Sequence, residues 1–269
     1  MRVRNRILKM PKANLDFLPR SLTPSQTALL TLWVLLMISF PIVDWALGWE
    51  AMLSAVVLSL LAQLVAVVLI LWQVWGAAKT LGVGLTILIL GWAAEALGSH
   101  IGIPFGAYSY TNALQPQIFS VPLQIPLGWL MMMPPSWAVA QAIANRIKPG
   151  WQFPAFIGLS ALTMTAWDLL MDPMMVAWGM WVWDHPGAYF GIPWGNFLGW
   201  LLVAGLITAV IRPRDLPIAP LLLVYTITWL LMMGGLAIFW GMPGPALVGG
   251  LAMGVFAVLG WRAFIIGSE

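Results

Sequence analysis

Eight apolar segments, each about as long as a bilayer is thick, constrain this chain more than any other feature. They run at roughly 27–47, 51–75, 80–98, 121–144, 154–178, 194–211, 217–240 and 244–266. A membrane-spanning helix needs about 17–25 residues of this kind. Charge content agrees: 8% of residues are charged, against about 25% in an ordinary soluble domain. The expected fold is therefore all-α, a polytopic membrane helix bundle of about eight transmembrane helices. It forms a single domain over 27–269 behind a basic tail over 1–26, and no internal repeat is visible.

The charges orient the bundle. Arg2, Arg4, Arg6, Lys9, Lys12 and Arg20 make the tail strongly basic. A signal peptide would place a short apolar core and a small-residue cleavage site after such charges. A full-length span follows instead, so the tail is expected to stay on the cytoplasmic side, with contact to anionic lipid as a further role. From that start, Lys79, Arg146, Lys148, Arg212, Arg214 and Arg262 all fall at cytoplasmic ends, the positive-inside pattern. Both termini are then cytoplasmic. The basic residues form no patch interleaved with aromatics, so nucleic acid is not an expected partner. Cysteine is absent and only His100 and His185 are histidines. That excludes disulfides and thiolate sites and argues against a His-rich metal centre.

Within the fifth span lies TAWDLLMDP at 165–173, where Asp168 and Asp172 share one helix face a turn apart. A carboxylate in hydrocarbon costs roughly 3 kcal/mol on insertion scales, so two on one face need a reason. Helix–helix hydrogen bonding is one; a site inside the bundle is the other. At about 1.5 Å of rise per residue, Glu95 lies about 21 Å from the inner face, Asp168 about 18 Å and Asp172 about 24 Å. All three thus reach the outer half of a core about 30 Å thick. They would face one another if spans three and five were neighbours.

Each has a plainer reading. Asp172 precedes Pro173 and would sit at a helix break there. His100 is as readily a structural histidine, Asp184 and His185 a turn, and Asn196 a helix cap. Several of the 18 tryptophans fit interfacial belts. Trp167, beside Asp168 at mid-depth, does not. Aromatic faces stabilise cations, and a carboxylic acid in a dry pocket can stay protonated and act as an acid. That combination suits protonation of an alkene.

Three motifs sharpen the reading: EALGSHIGIPFGAYSY at 95–110, WDLLMDP at 167–173 and YFGIPWGNFLGW at 189–200. In this order and on these spans they resemble the carotenoid-biosynthesis integral membrane proteins, the CruF-type carotenoid hydratases. The resemblance is close over about 80–205. It departs after Tyr110, where Leu114, Gln115 and Pro116 stand in place of a Leu-Gly-Pro-like turn. The resemblance implies acid-catalysed addition of water to the terminal double bond of an acyclic (psi) end group, as in lycopene or gamma-carotene, giving a tertiary alcohol. No cofactor or metal is implied. A lipophilic carotenoid, membrane lipid and other enzymes of the pathway are the implied partners, in a bacterial cell membrane or a thylakoid. Glu95, Asp168 and Asp172 are the candidate catalytic set, with Asp168 or Glu95 as acid and Asp172 as partner or base. His100, Tyr108, Tyr110, Trp167 and Asn196 are candidate substrate-binding residues, with Asn196 holding the water.

Other readings share these residues. A lycopene cyclase begins with the same protonation, an internal double bond capturing the cation. Asp168 and Asp172 resemble half of a magnesium–diphosphate site, but every Lys and Arg lies on the opposite face. A transporter or pigment scaffold would use the acids as a proton relay, though transport favours repeated halves.

Overall fold

The computed structural model describes residues 22–267. The basic tail expected over 1–26 lies outside them except for its last five residues. Helix α1 (Pro24–Leu47) starts at a capping box: the Thr23 hydroxyl accepts from the Gln26 backbone N–H and the Gln26 side-chain oxygen accepts from the Thr23 backbone N–H. Helix α2 (Trp49–Ile101) is 53 residues long and broken once, at Gly76, whose φ of 71° and ψ of 175° lie where glycine is at ease. Its limbs, 49–75 and 77–101, fold back on each other. The Gln63 amide reaches Met132 and the Glu95 carboxyl reaches Trp129, three residues apart on one helix. The second and third expected spans are these two limbs.

The remaining helices are α3 (Gln124–Ala144), α4 (Gln152–Ala177), α5 (Trp194–Ile211), α6 (Ile218–Ile238) and α7 (Pro243–Gly267). Among the described residues, counting the limbs of α2 separately gives eight bilayer-length segments, as the sequence predicts. The chain is a multi-pass, all-α membrane bundle. Rows of apolar side chains stay exposed on its outside, such as Leu198, Leu202 and Leu206 of α5 and Leu247, Leu251 and Val255 of α7. Surfaces of that size face lipid or partners, not water.

Helix α3 is the hub. Nearly all of it is buried, and it packs against α2, α4, α6 and α7. Spans three and five are therefore not principal packing partners, because α3 stands between them. Helix α4 runs on through Pro173 to Ala177, so no break occurs at Asp172; neighbouring helices in a bundle can re-satisfy the carbonyl that a proline frees. The fourth span begins at Gln124 instead of 121, the preceding residues being drawn into a strand.

The two long loops are not irregular. Strand β1 (Tyr108–Tyr110) pairs antiparallel with β4 (Trp181–Trp183), joining the loop after α2 to the loop after α4. Strands β2 (Gln117–Ile118) and β3 (Val121–Pro122) form a small hairpin leading into α3. At the opposite end the Lys79 ammonium meets the Arg214 carbonyl at 3.0 Å and Asp215 at 3.7 Å, and Arg146 donates to the Ala263 carbonyl. One end of the bundle is thus basic and the other carries Glu95, Asp168, Asp172 and the paired loops.

Candidate active site

Glu95 lies in the last turns of α2, and the chain that leaves this helix comes straight back over it. Gly102 ends the helix in the left-handed region and Gly106 turns the loop, with φ of 74° and 95°. The chain then enters β1, where alternation puts Tyr108 and Tyr110 on one side and the exposed Ser109 on the other. Both hydroxyls donate to Glu95 Oε2, at 2.5 and 2.8 Å. The Trp129 indole of α3 donates to Oε1 at 2.9 Å. Burial, followed by the neighbouring Glu95 charge, pushes both tyrosine hydroxyls well above their ordinary range, so they remain protonated donors.

Asp168 and Asp172 form the second group. They lie one turn apart on α4 and share a single amide: Asn196 Nδ2 donates to Asp168 Oδ2 at 2.9 Å and also to Asp172 Oδ2. Asn196 is the third residue of α5, whose cap is Pro193, so its side chain bridges the acids and does not cap the helix. Asp168 is fully buried, and its Oδ1 has no hydrogen-bond partner among the described residues.

A partly open cleft joins the two groups. Glu95, Tyr108, Tyr110, Asp172 and Asn196 line it; Asp168 stands behind Asp172 and His100 lies outside it. His100 is exposed at the end of α2 and bonds back to the Ala96 carbonyl. Tryptophans complete the wall. Trp129 and Trp200 stack with centroids 4.2 Å apart and planes 9° from parallel, and Trp167 meets Trp200 edge-on at 5.9 Å. A mostly apolar wall with a few convergent polar groups is the usual form of a small-molecule site. Among the described residues no three His, Asp or Glu side chains are placed to hold a metal ion.

Phe105 sets how closely these parts approach, because it lies between two glycines. A Cβ on Gly98 would come within 2.7 Å of its ring, and one on Gly199 within 2.7 Å of the ring and 2.8 Å of the Pro104 carbonyl. Gly199→Ala should therefore push the loop outward and lower stability by about 1–3 kcal/mol, read as thermal unfolding in detergent. Gly205→Ala, whose nearest neighbour would be 3.7 Å away, is the matched control. Equal unfolding of the two would sink the argument.

Of the residues named from sequence, the cleft brings together Glu95, Asp172, Tyr108, Tyr110, Trp167 and Asn196, with Asp168 behind them. Trp129 was not singled out, Phe105 and Trp200 lie in the quoted motifs without a role assigned, and Trp181 reads from sequence as a belt residue at the outer boundary. Trp129 carried a usable signal, being a mid-span tryptophan like Trp167. Residues 54–256 match the protein family described as carotenoid biosynthesis protein. The chain belongs to the carotenoid biosynthesis protein family. The family match takes in Glu95, Tyr108, Tyr110, Trp129, Asp168, Asp172, Asn196 and Trp200. A curated relative, bisanhydrobacterioruberin hydratase of Haloarcula japonica, is 26% identical over 170 residues, covering 59% of this chain and 57% of the relative. The similarity thus spans less than two thirds of that relative's length. No solved structure matches the chain.

Proposed function

We propose that this member of the family is a carotenoid hydratase that adds water to the terminal double bond of an acyclic end group. The observation that carries the reading is one cleft, walled by stacked tryptophans, on which carboxyl groups from α2 and α4 both open. The relative's name, a hydratase, agrees with it.

The chemistry assigns roles by position. Asp172 lines the cleft and delivers a proton to the less substituted alkene carbon. The alkene π pair forms the new C–H bond and leaves a tertiary cation. An indole face of the Trp129–Trp200 pair that lies outside the stack stabilises that cation, and the Glu95 oxygens, held by three donors, add fixed electrostatic stabilisation. Water against Asn196 forms the C–O bond, and its surplus proton returns to Asp172. The sum is alkene plus water giving a tertiary alcohol, with no change of oxidation state and no cofactor drawn upon. Asp168 and Asn196 are positioning residues that hold Asp172 in place, a supporting shell of the kind precise sites need.

Expression in a bacterium that accumulates lycopene tests this directly. The expected product is a pigment heavier by one water with an almost unchanged absorption spectrum. A product of unchanged mass with a blue-shifted spectrum would mean cyclisation. No new pigment from lycopene or gamma-carotene would overturn the enzyme reading.

A further inference from the structure

A second, open concavity lies on the lipid side of the bundle between α1 and α6. It adjoins the acid-bearing cleft: Met37, Phe40, Met174 and Met232 line both. Its own wall carries no charged side chain. Its rim is open to the bilayer at Ile42, Trp45 and Ile238, which are 60%, 88% and 72% exposed. These stretches lie toward the ends of α1 and α6 that are nearer the carboxyl groups, so groove and acids share one half of the membrane.

We infer that this groove is the lateral route by which the substrate's polyene reaches the acids, and that the polyene stays in it while the end group reacts. The inference rests on the carotenoid reading of the cleft. A carotenoid is a stiff apolar rod, about as long as the ~30 Å hydrocarbon core is thick. When its end group lies against Asp172, the rest must leave the bundle along an apolar path. The groove is apolar, opens to lipid and meets the cleft at four residues, three of them methionine. Methionine is unbranched and flexible, so such a constriction can part and re-close around a guest. Helix α1 packs chiefly on α2 and carries Pro41 in the groove wall, where a proline removes a helix hydrogen bond and permits bending. Opposite, Gly234 and Gly235 leave the α6 face low; a Cβ on Gly234 would meet nothing within 4 Å.

The chain has no cysteine, so single reporters can be placed cleanly. Gly234→Cys and Ile238→Cys put a thiol in the groove. Leu251→Cys puts one on the lipid face of α7, outside both cavities. Each full-length variant is exposed in membranes to a bulky apolar maleimide, with and without lycopene. Lycopene should slow labelling at 234 and 238 about fivefold and leave 251 unaffected. The labelled groove variants should hydrate lycopene about tenfold more slowly than their unlabelled forms, while labelled Leu251→Cys keeps its rate. The more exposed position 238 decides the matter should the 234 variant fail to reach the membrane. Protection without hydration in any unlabelled protein would leave the groove standing and remove the hydratase. Hydration that continues in the labelled groove variants, without protection, would remove the groove and leave the hydratase. Neither protection nor hydration would remove both.

Discussion

Asp172→Asn loses the hydrated product by roughly 10²–10⁴-fold, the usual worth of a positioned general acid. The substitution keeps size, helix position and contact with Asn196, but it removes the acidic proton. Asp172 is the one member of the pair that lines the cleft. Asp168→Asn, one turn away and behind it, should lose about tenfold, because it touches only the group that holds the acid. The measurement is product per membrane-bound protein in a lycopene-accumulating host. A reversed order of the two variants would move the acid to Asp168. Full activity in Asp172→Asn would end the role of this pair as proton donor.

Glu95→Gln is the second large effect, with a different signature. Its three partners all donate to it, and the indole of Trp129 can do nothing else. An amide offers one accepting oxygen where the carboxyl offers two, so at least one donor loses its partner or must turn round. Leaving a buried polar group unsatisfied costs about 1–3 kcal/mol, visible as a lower midpoint of thermal unfolding. Loss of electrostatic stabilisation at the cation should lower kcat by about 10²–10³-fold. Glu95 is argued to act on the transition state and not on the resting polyene, so KM should move little. A rise in KM at constant kcat would recast Glu95 as a residue that merely seats the substrate.

Much of this was legible before the fold was known, and for a physical reason: hydrocarbon allows few ways to satisfy a backbone. Eight bilayer-length segments and one-sided basic residues were enough to draw the bundle. The spacing of Asp168 and Asp172 put them on one face, and counting helical rise brought Glu95 to their depth. What failed was lateral. Depth says nothing about neighbours, and the structure interposes α3 between the acid-bearing helices. His100 was drawn toward the site by its place in the first motif. Five residues are 1.4 turns of helix, which points His100 about 140° away from Glu95. Asn196 looked like a cap because it opens a span, but Pro193 takes that position. The strands at 108–110 and 181–183 are three residues long, too short for an alternating pattern to stand out. The cleft wall at Trp129 and Trp200 exists only once long side chains from α3 and α5 meet in the folded bundle.

The pairing of β1 with β4 bears on how the protein tolerates different lipids. Helices answer a thicker or thinner bilayer by changing tilt, and a site assembled from independently tilting helices would lose register. Here the segment that orients Glu95 through Tyr108 and Tyr110 is tied by backbone hydrogen bonds to the segment that follows Asp172. Tilt is therefore shared between the two sides of the cleft. Their separation is set by a strand register that lies outside the helices, whatever thickness the surrounding acyl chains impose.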